Sequence, residues 1–412
     1  MAPPTGQTLR LRVGAATHDS ERDFPLPAGW DATVYPMCDR PALTQAAVQR
    51  ALAHPVGSEP ISVAARGARS AALLVDDFRR PTPAERLCRA VIEELRVAGV
   101  PPERITIILG NGAHRPMNRR EVRRRLGSVC DLVGEVISHD AYSPRVTYKG
   151  VTSAGTPVLV NEAAAAADFS VSMSTIYPHR LVAWAGGAKM VLPGICHVSS
   201  IHCHHSRLAA GEWGEPPGGC ASRRDIEEAG RLFGLNVALC VVVNSCQEMC
   251  GLYAGEPTKA HRAAVALARK VGDTPMADAH PDLIICNAYP LDADGTQYSK
   301  AQAPALQFDC PMLIINDFAD PSIYHGLYHG PLAPYRKRPP LPAPPHTDEL
   351  LMQAPVFFYS PQYDRGFMPP NRDWYGDNDW EAMVAAMARR FKRARVAVFP
   401  AAPLQLPRVV AP

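Results

Sequence analysis

Short apolar runs rich in β-branched residues alternate with stretches of helical periodicity along most of the chain. Runs of this length and composition are typical of buried strands, and their alternation with helices predicts an α/β fold with largely parallel or mixed sheets. The clearest runs are Ala71–Val75, Ile105–Leu109, Val133–Ser138, Phe169–Met173, Val237–Val243, Leu283–Cys286, Met312–Ile315, Val356–Tyr359 and Val396–Phe399.

Capping signals place helices between these runs. Residues Thr82–Glu85 have the composition of a capping box with proline at the first helical position, and apolar residues then recur at helical spacing up to Gly99. Asn118–Glu121 has the composition to cap a second helix, and Lys259–Val271 is typical of a third. A boundary after this third segment predicts two α/β domains with the active site in the cleft between them. The expected division is a cofactor-binding domain of residues 1–265 and a domain of residues 266–412 that contributes substrate-binding residues.

Composition and charge narrow the possible function classes. The formal net charge of +3 over 412 residues favours neither a nucleic-acid partner nor a membrane surface. The basic run at residues 119–125 is the local exception, interpreted as the solvated face of a helix, with anion binding as the alternative. The apolar runs are too short to span a bilayer, and the first residues lack the apolar stretch of a secretory signal. Eleven scattered cysteines favour reduced thiols, so a cytoplasmic location is expected.

Polar, turn-rich segments follow several of the predicted strands directly. They lie at residues 76–81, 110–116, 174–189 and 287–292. In open α/β sheets, ligands bind outside the carboxyl ends of the strands, so these segments predict a shared site. Taken singly, each has a plainer interpretation: Asp77 and Arg80 could form a surface ion pair, and the Gly186–Lys189 segment lacks the glycine spacing of a P-loop.

The segment His202–His205 contains several metal-ligand side chains in a short stretch. Together with Cys246 and Cys250 it could form a zinc site. Adjacent ligands rarely converge on one tetrahedral ion, however, and the two cysteines have helical spacing. One histidine acting as a single metal ligand is the favoured interpretation.

In their order and spacing, these motifs resemble the nickel-pincer nucleotide-dependent lactate racemase family, a group of 2-hydroxy acid racemases and epimerases. The strongest match is the segment Pro178–Ile195, which contains Gly-Gly-Ala-Lys. DFRRPTP at residues 77–83 and GAHRP at residues 112–116 support it upstream, and NAYPLD at residues 287–292 supports it downstream. The collinear region runs from about residue 70 to about residue 305.

The resemblance implies a nickel-pincer nucleotide as cofactor. This is a pyridinium mononucleotide whose sulfur–carbon–sulfur pincer holds nickel, and the family's attachment lysine falls on Lys189. The family's nickel-binding histidine falls on His205, with His202 and His204 as alternatives if the register shifts. Asp77, Gly186 and Gly187 would also contact the cofactor.

The resemblance also implies the acid/base and substrate-binding residues. The two family histidines that exchange protons with the substrate fall on His114 and His179. An imidazole suits this role because its ordinary pKa is close to neutrality. The expected substrate-binding residues are Arg80, Thr296, Gln297 and Lys300.

The implied activity is that of an isomerase, which racemises or epimerises a 2-hydroxy acid by reversible hydride transfer from Cα. Thr296 stands where the family commonly has tyrosine, which leaves a longer or sugar-type 2-hydroxy acid open as an alternative to lactate. A non-catalytic homologue that binds the nickel-pincer nucleotide is a further alternative. The expected partners are a small-molecule substrate and cofactor maturation proteins, with no nucleic acid and no membrane.

Overall fold

The structure is a computed structural model that describes residues 5–207, 213–277, 280–308, 310–318, 325, 327, 356–363 and 374–410. The Thr296 side chain and the proline-rich segment Pro331–Pro345 lie outside the described part, so the substrate role of Thr296 stays a prediction. Among the described residues, no helix combines the length and apolar character needed to cross a membrane.

The elements are numbered in chain order. The strands are β1 Thr5–Val13, β2 Ser20–Pro27, β3 Trp30–Val34, β4 Ala71–Asp76, β5 Ile105–Gly110, β6 Glu135–Ser138, β7 Val146–Val151, β8 Pro157–Asn161, β9 Phe169–Thr175, β10 Pro178–His179, β11 Ala183–Trp184, β12 Val237–Val243, β13 Met249–Gly255, β14 Asp273–Met276, β15 Leu283–Asn287, β16 Met312–Ile315, β17 Val356–Tyr359, β18 Trp374–Asp377, β19 Ala394–Phe399 and β20 Leu406–Val409. The α-helices are α1 Gln45–Ala53, α2 Ile61–Ala64, α3 Ala84–Ala98, α4 Arg119–Leu126, α5 Glu162–Ala166, α6 Val198–His205, α7 Ala221–Phe233, α8 Pro257–Gly272, α9 Tyr298–Gln302 and α10 Trp380–Arg390.

The first large sheet has six strands in the order β13-β12-β9-β4-β5-β6. All neighbouring strands are parallel except β12 and β13, which form an antiparallel hairpin. Successive residues of β4 point to opposite faces: Leu73 packs in one core with Val91 of α3, and Leu74 packs in another with Ile226 of α7. Because both faces are covered, every residue of β4 is buried, which explains the continuous apolar run.

The second large sheet also has six strands, in the order β18-β17-β16-β15-β19-β3, all parallel. The strand β3 reaches it from the start of the chain and pairs Trp30–Val34 with residues 394–398 of β19. The antiparallel pair β1 and β2 packs against the same sheet, since Leu11 and Phe24 share a core with Leu283 of β15. The predicted α/β class is therefore confirmed, while the division at residues 265 and 266 stays a prediction.

Two of the helix signals have different outcomes. Asn118 caps α4 as expected: its side chain accepts from the backbone N–H of Glu121, and the Glu121 side chain accepts from the backbone N–H of Asn118. The capping box at Thr82–Glu85 is wrong, because α3 begins at Ala84 after Pro83, with no side-chain cap. The Thr82 hydroxyl instead donates to Asp76 Oδ2 at 2.6 Å. The predicted end of α3 is correct, with Gly99 in the left-handed region at φ 97°.

The basic run on α4 is only partly a solvated face. Arg119, Arg120 and Arg124 are exposed, but Arg125 is partly buried and its guanidinium contacts the carboxylate of the buried Asp76. Arg125 also donates to the backbone carbonyl of Arg80 at 2.9 Å. This arginine therefore fixes both ends of the loop that follows β4.

We expect Arg125→Met to lower the free energy of unfolding by about 3 kcal/mol, since it leaves the Asp76 carboxylate buried without its ion-pair partner. Urea unfolding followed by tryptophan fluorescence measures this loss. Arg119→Met on the same helix is the matched control and should change stability by less than about 0.5 kcal/mol. Equal effects of the two variants would contradict the structural role of Arg125.

Candidate functional site

The carboxyl ends of β4, β5 and β9 lie side by side in the first sheet, with β4 in the middle. Three of the polar segments start there: residues 76–81 follow β4, residues 110–116 follow β5, and the segment leading to Lys189 follows β9. The fourth segment, residues 287–292, follows β15 of the second sheet. The two sheets thus contribute loops to one region through contacts between these segments.

Arg79 makes the central contact between the loops. Its side chain is 1% exposed, donates to Asp77 Oδ2 at 3.0 Å and contacts the carboxylate of Asp294. Asp77 therefore pairs with Arg79, and the suggested ion pair between Asp77 and Arg80 is wrong. Two carboxylates around one guanidinium keep this charge compensated after it has been removed from water.

Arg80 extends in a different direction, toward the second sheet. Its guanidinium donates to Gln297 Oε1 at 2.8 Å and lies 5.8 Å from the centre of the Tyr177 ring. The ammonium of Lys300 donates to the same Gln297 oxygen at 2.6 Å. Two cationic groups thus meet on one neutral amide oxygen, an arrangement suited to an anionic ligand such as a carboxylate. Burial and the charge of Arg80 hold the pKa of Lys300 well below its usual range.

His114 lies on the loop after β5 and His179 in the short strand β10, both near these cations. The Nδ1 atom of His114 is buried and has no hydrogen-bond partner among the described residues. His179 Nδ1 accepts from the backbone N–H of Leu181 at 3.2 Å, which leaves Nε2 to carry the proton in the neutral ring. Burial, together with nearby positive charge, holds the pKa of both histidines well below the usual range. For His114 the largest charge effect comes from Arg79, and for His179 it comes from Lys189. Both imidazoles are therefore neutral near pH 7.

The histidines of α6 have distinct environments. His204 is buried and bonds through Nδ1 to Asp225 Oδ2 at 2.7 Å, while His202 is exposed. His205 Nδ1 lies 3.0 Å from the carbonyl oxygen of Ile201, which can only accept, so Nδ1 carries the proton and Nε2 keeps its lone pair. A histidine that binds a metal commonly donates its other ring N–H to a backbone carbonyl in this way. The arrangement favours His205 over its two neighbours.

A zinc site has no support within the part of the chain that the structure describes. No three or more His, Cys, Asp or Glu side chains there are grouped so as to hold a metal ion. Cys246 and Cys250, the suggested thiol ligands, are both free thiols. Their spacing suggested a helix, but Cys250 belongs to strand β13.

Two glycines shape the loop that carries Lys189. Gly186 and Gly187 have φ angles of 83° and 62°, in the left-handed region that favours glycine. A Cβ atom on Gly187 would come within 3.1 Å of Arg223 Nη2 and 3.2 Å of the His261 ring. Lys189 lies in a short 3-10 helix, Gly187–Met190, that begins at the second of these glycines.

Arg223 and His261 were not predicted as site residues, yet they hold this loop in place. Arg223 is fully buried and donates to the carbonyl oxygens of Gly186 at 2.9 Å and Trp184 at 3.2 Å. His261 Nε2 lies 3.0 Å from the carbonyl oxygen of Ala185. The helical periodicity of α7 and α8, which places both residues on buried faces, is the sequence signal that could have found them.

The Lys189 side chain is electrostatically unusual. Loss of hydration at this partly buried position lowers the pKa of its amine to about 7, and the positive charges of Arg80 and Arg223 act in the same direction. Near neutral pH a large share of Lys189 is therefore uncharged. An uncharged amine is a nucleophile and can form an amide-type bond, whereas an ammonium group cannot.

An open cavity of about 960 Å³ lies beside the loop after β4. Arg80 belongs to its lining, which includes six arginines and two glutamates, and none of the site histidines. The excess of positive charge is compatible with the anion-binding alternative for the basic run. Arg80 lines this cavity and also bonds to Gln297 in the site.

Comparisons with known proteins give a consistent result. Residues 18–215 match the family described as the lactate racemase N-terminal domain. Curated lactate racemases from Lactiplantibacillus plantarum and Thermoanaerobacterium thermosaccharolyticum are each 27% identical to the chain, over 271 and 266 residues. The matches cover 63% and 61% of this chain and 62% and 60% of the relatives. The chain thus spans about three fifths of the length of these relatives.

Solved structures extend the likeness to the whole fold. The lactate racemase apoprotein from Thermoanaerobacterium thermosaccharolyticum has a TM-score of 0.73 at 21% identity, covering 98% of this chain and all of the other. A Thermotoga maritima protein has a TM-score of 0.59 at 13% identity, covering 83% of this chain and 94% of that chain. At these identities the structures show a shared fold. The resemblance to the lactate racemase family is confirmed.

The lowered pKa of Lys189 predicts a steep pH dependence of its reactivity. Since the uncharged fraction rises as pH increases through about 7, labelling by a small acylating reagent should reach half its maximal rate near pH 7. Peptide mass spectrometry of the apoprotein after brief labelling gives this midpoint. Arg80→Gln should move the midpoint to higher pH because it removes a nearby positive charge. A midpoint above about 9.5, close to that of an ordinary lysine, would refute the expectation.

Proposed function

We propose, from the match of residues 18–215 to the lactate racemase N-terminal domain family, that the chain inverts the C2 configuration of a 2-hydroxy acid. The observation that carries this proposal is the meeting of Arg80 and Lys300 on Gln297, close to two neutral histidines. The cations suit a carboxylate, and the imidazoles suit proton exchange with a hydroxyl. Racemisation of lactate, the activity named for the relatives, is the first reaction to test.

The residues present fit a nickel-pincer nucleotide. Lys189 offers an amine that is largely uncharged near neutrality, as covalent attachment requires. His205 offers Nε2, since its Nδ1 is bonded to the Ile201 carbonyl. Gly186 and Gly187 keep the loop free of side chains beside the lysine. We assign Lys189 as the attachment residue, His205 as the nickel ligand, and the two glycines and Asp77 as neighbours of the cofactor.

The nickel-pincer nucleotide, when bound, supplies the group that takes a hydride from C2 and returns it. The chain's own residues supply position and proton exchange. Arg80 and Lys300 bind the substrate carboxylate, and Gln297 holds both of them at the required separation. Fixing the carboxylate limits the movement left to C2 and its hydroxyl.

His114 and His179 are the acid/base residues of this proposal. A neutral His114 accepts the hydroxyl proton at a ring nitrogen as the substrate becomes a keto acid, and later returns that proton. His179 carries its proton on Nε2 and can donate a hydrogen bond to the same oxygen from strand β10. A substrate oxygen would thus meet one acceptor and one donor, which allows proton transfer in both directions.

We expect protein co-produced with the cofactor maturation proteins to convert either enantiomer of lactate to an equal mixture, as followed by chiral chromatography. Lys189→Ala should abolish the conversion, because the attachment amine is lost. His114→Gln should reduce kcat by at least about 100-fold, the usual contribution of general acid/base catalysis. Full activity of Lys189→Ala would refute the assigned attachment.

Running the same reaction in deuterated water separates two chemical routes. Return of an internal hydride leaves C2 of the product free of deuterium, whereas a carbanion route would introduce solvent deuterium there. Mass spectrometry of the recovered acid distinguishes the two outcomes. Extensive deuterium at C2 would refute the hydride route.

Nickel content tests the metal ligand independently of turnover. His205→Ala should lower the nickel bound per chain several-fold, because Nε2 of His205 is the assigned ligand. His202→Ala is the matched control on the same helix, and its exposed side chain predicts unchanged nickel. The opposite ranking, measured by metal analysis of purified protein, would move the assignment to His202.

A further inference from the structure

His325 lies against two of the proposed site residues, although no motif singled it out. Its backbone forms an isolated antiparallel bridge with that of His114. The two imidazole rings meet edge to face, with centroids 5.2 Å apart and planes at 80°. The centroid of the His205 ring is 6.4 Å from that of His325. A third imidazole is therefore placed beside both the proposed base and the proposed metal ligand.

The chemistry of a 2-hydroxy acid limits what His325 can contact. C2 carries four groups: the carboxylate, the hydroxyl, the transferred hydrogen and a side chain. The proposed function assigns the carboxylate to Arg80 and Lys300, the hydroxyl to the acid/base histidines, and the hydrogen to the cofactor. Only the side chain of the acid, starting at C3, remains for a polar group next to His114.

We infer that His325 is a specificity-determining residue that forms a hydrogen bond with a polar group on C3 of the substrate. This inference rests on the proposed function. An imidazole nitrogen donates or accepts a hydrogen bond according to the tautomer, so it can pair with a hydroxyl in either direction. A methyl group at the same place forms no hydrogen bond. Sites that bind a hydroxyl through hydrogen bonds discriminate strongly against analogues that lack this hydroxyl.

The contacts that hold the carboxylate anchors do not involve His325. The carboxylate anchors, Arg80 and Lys300, bond to Gln297 on the second-sheet side of the site. Asp77 and Asp294 hold Arg79 independently of His325. Removing the His325 imidazole therefore leaves these contacts in place.

The test compares two acids that differ by one hydroxyl, 2,3-dihydroxypropanoate and lactate, on cofactor-loaded protein. We expect kcat/KM for the dihydroxy acid to exceed that for lactate by at least about tenfold. His325→Phe keeps a ring of similar size without hydrogen-bonding atoms, and it should reduce this ratio by about tenfold. His325→Gln keeps a donor and an acceptor and should retain most of the ratio.

The outcomes separate the inference from the function on which it rests. Inversion of neither acid by the loaded wild-type protein would overturn the proposed function and this inference with it. Inversion of both acids, with the same ratio in wild type and His325→Phe, would overturn this inference alone. Equal losses on both acids would show that His325 positions His114 instead, and would also overturn it. Nickel content, measured in each variant, distinguishes a loss of metal from a loss of selectivity.

Discussion

Arg79 carries a guanidinium group into a position that is 1% exposed, between Asp77 on its own loop and Asp294 on a loop of the second sheet. A charge in such a place is tolerated only while its partners remain, because its desolvation cost is large. The ion pair between Arg79 and Asp294 therefore holds the loop of the second sheet against the loop after β4. Gln297, three residues beyond Asp294, donates to Asp294 Oδ1 at 3.2 Å and accepts from Arg80. The geometry of the Arg80–Lys300 pair thus depends on the buried ion cluster of Asp77, Arg79 and Asp294.

Two lysines and two histidines of the site share one electrostatic property: burial and nearby positive charge lower their pKa values. They are Lys189, Lys300, His114 and His179. The two imidazoles, neutral near pH 7, can take up a proton, and the uncharged form of the Lys189 amine can form a bond. The arrangement also fits an anionic ligand, whose charge would partly offset the repulsion between the cations.

The sequence predicted the strands and the loop order well, because a buried parallel strand and a glycine-lysine turn each leave a local pattern. Lys189, Gly186 and Gly187 lie within one contiguous motif, so their proximity needed no long-range information. The pairing of Asp77 was mispredicted because the choice between two adjacent arginines is decided by Asp294, 215 residues away from Arg79. The role of Arg223 could not be predicted, because a helical arginine is usually solvent-exposed and its partners, the carbonyl groups of Trp184 and Gly186, are distant in sequence.

The position of β3 at the edge of the second sheet affects how the chain folds during synthesis. Its partner β19 lies some 360 residues later, since Trp30 pairs with Ala394. The strands of the first sheet all fall between residues 71 and 255, so that sheet can close while the ribosome is still adding residues. The strands β1 and β2 can pair with each other early, but β3 must wait for residues 394–398 of β19. Pairings this distant in sequence form slowly, and unpaired strands are prone to association with other chains. Until β19 has been synthesised, β3 is such an unpaired strand.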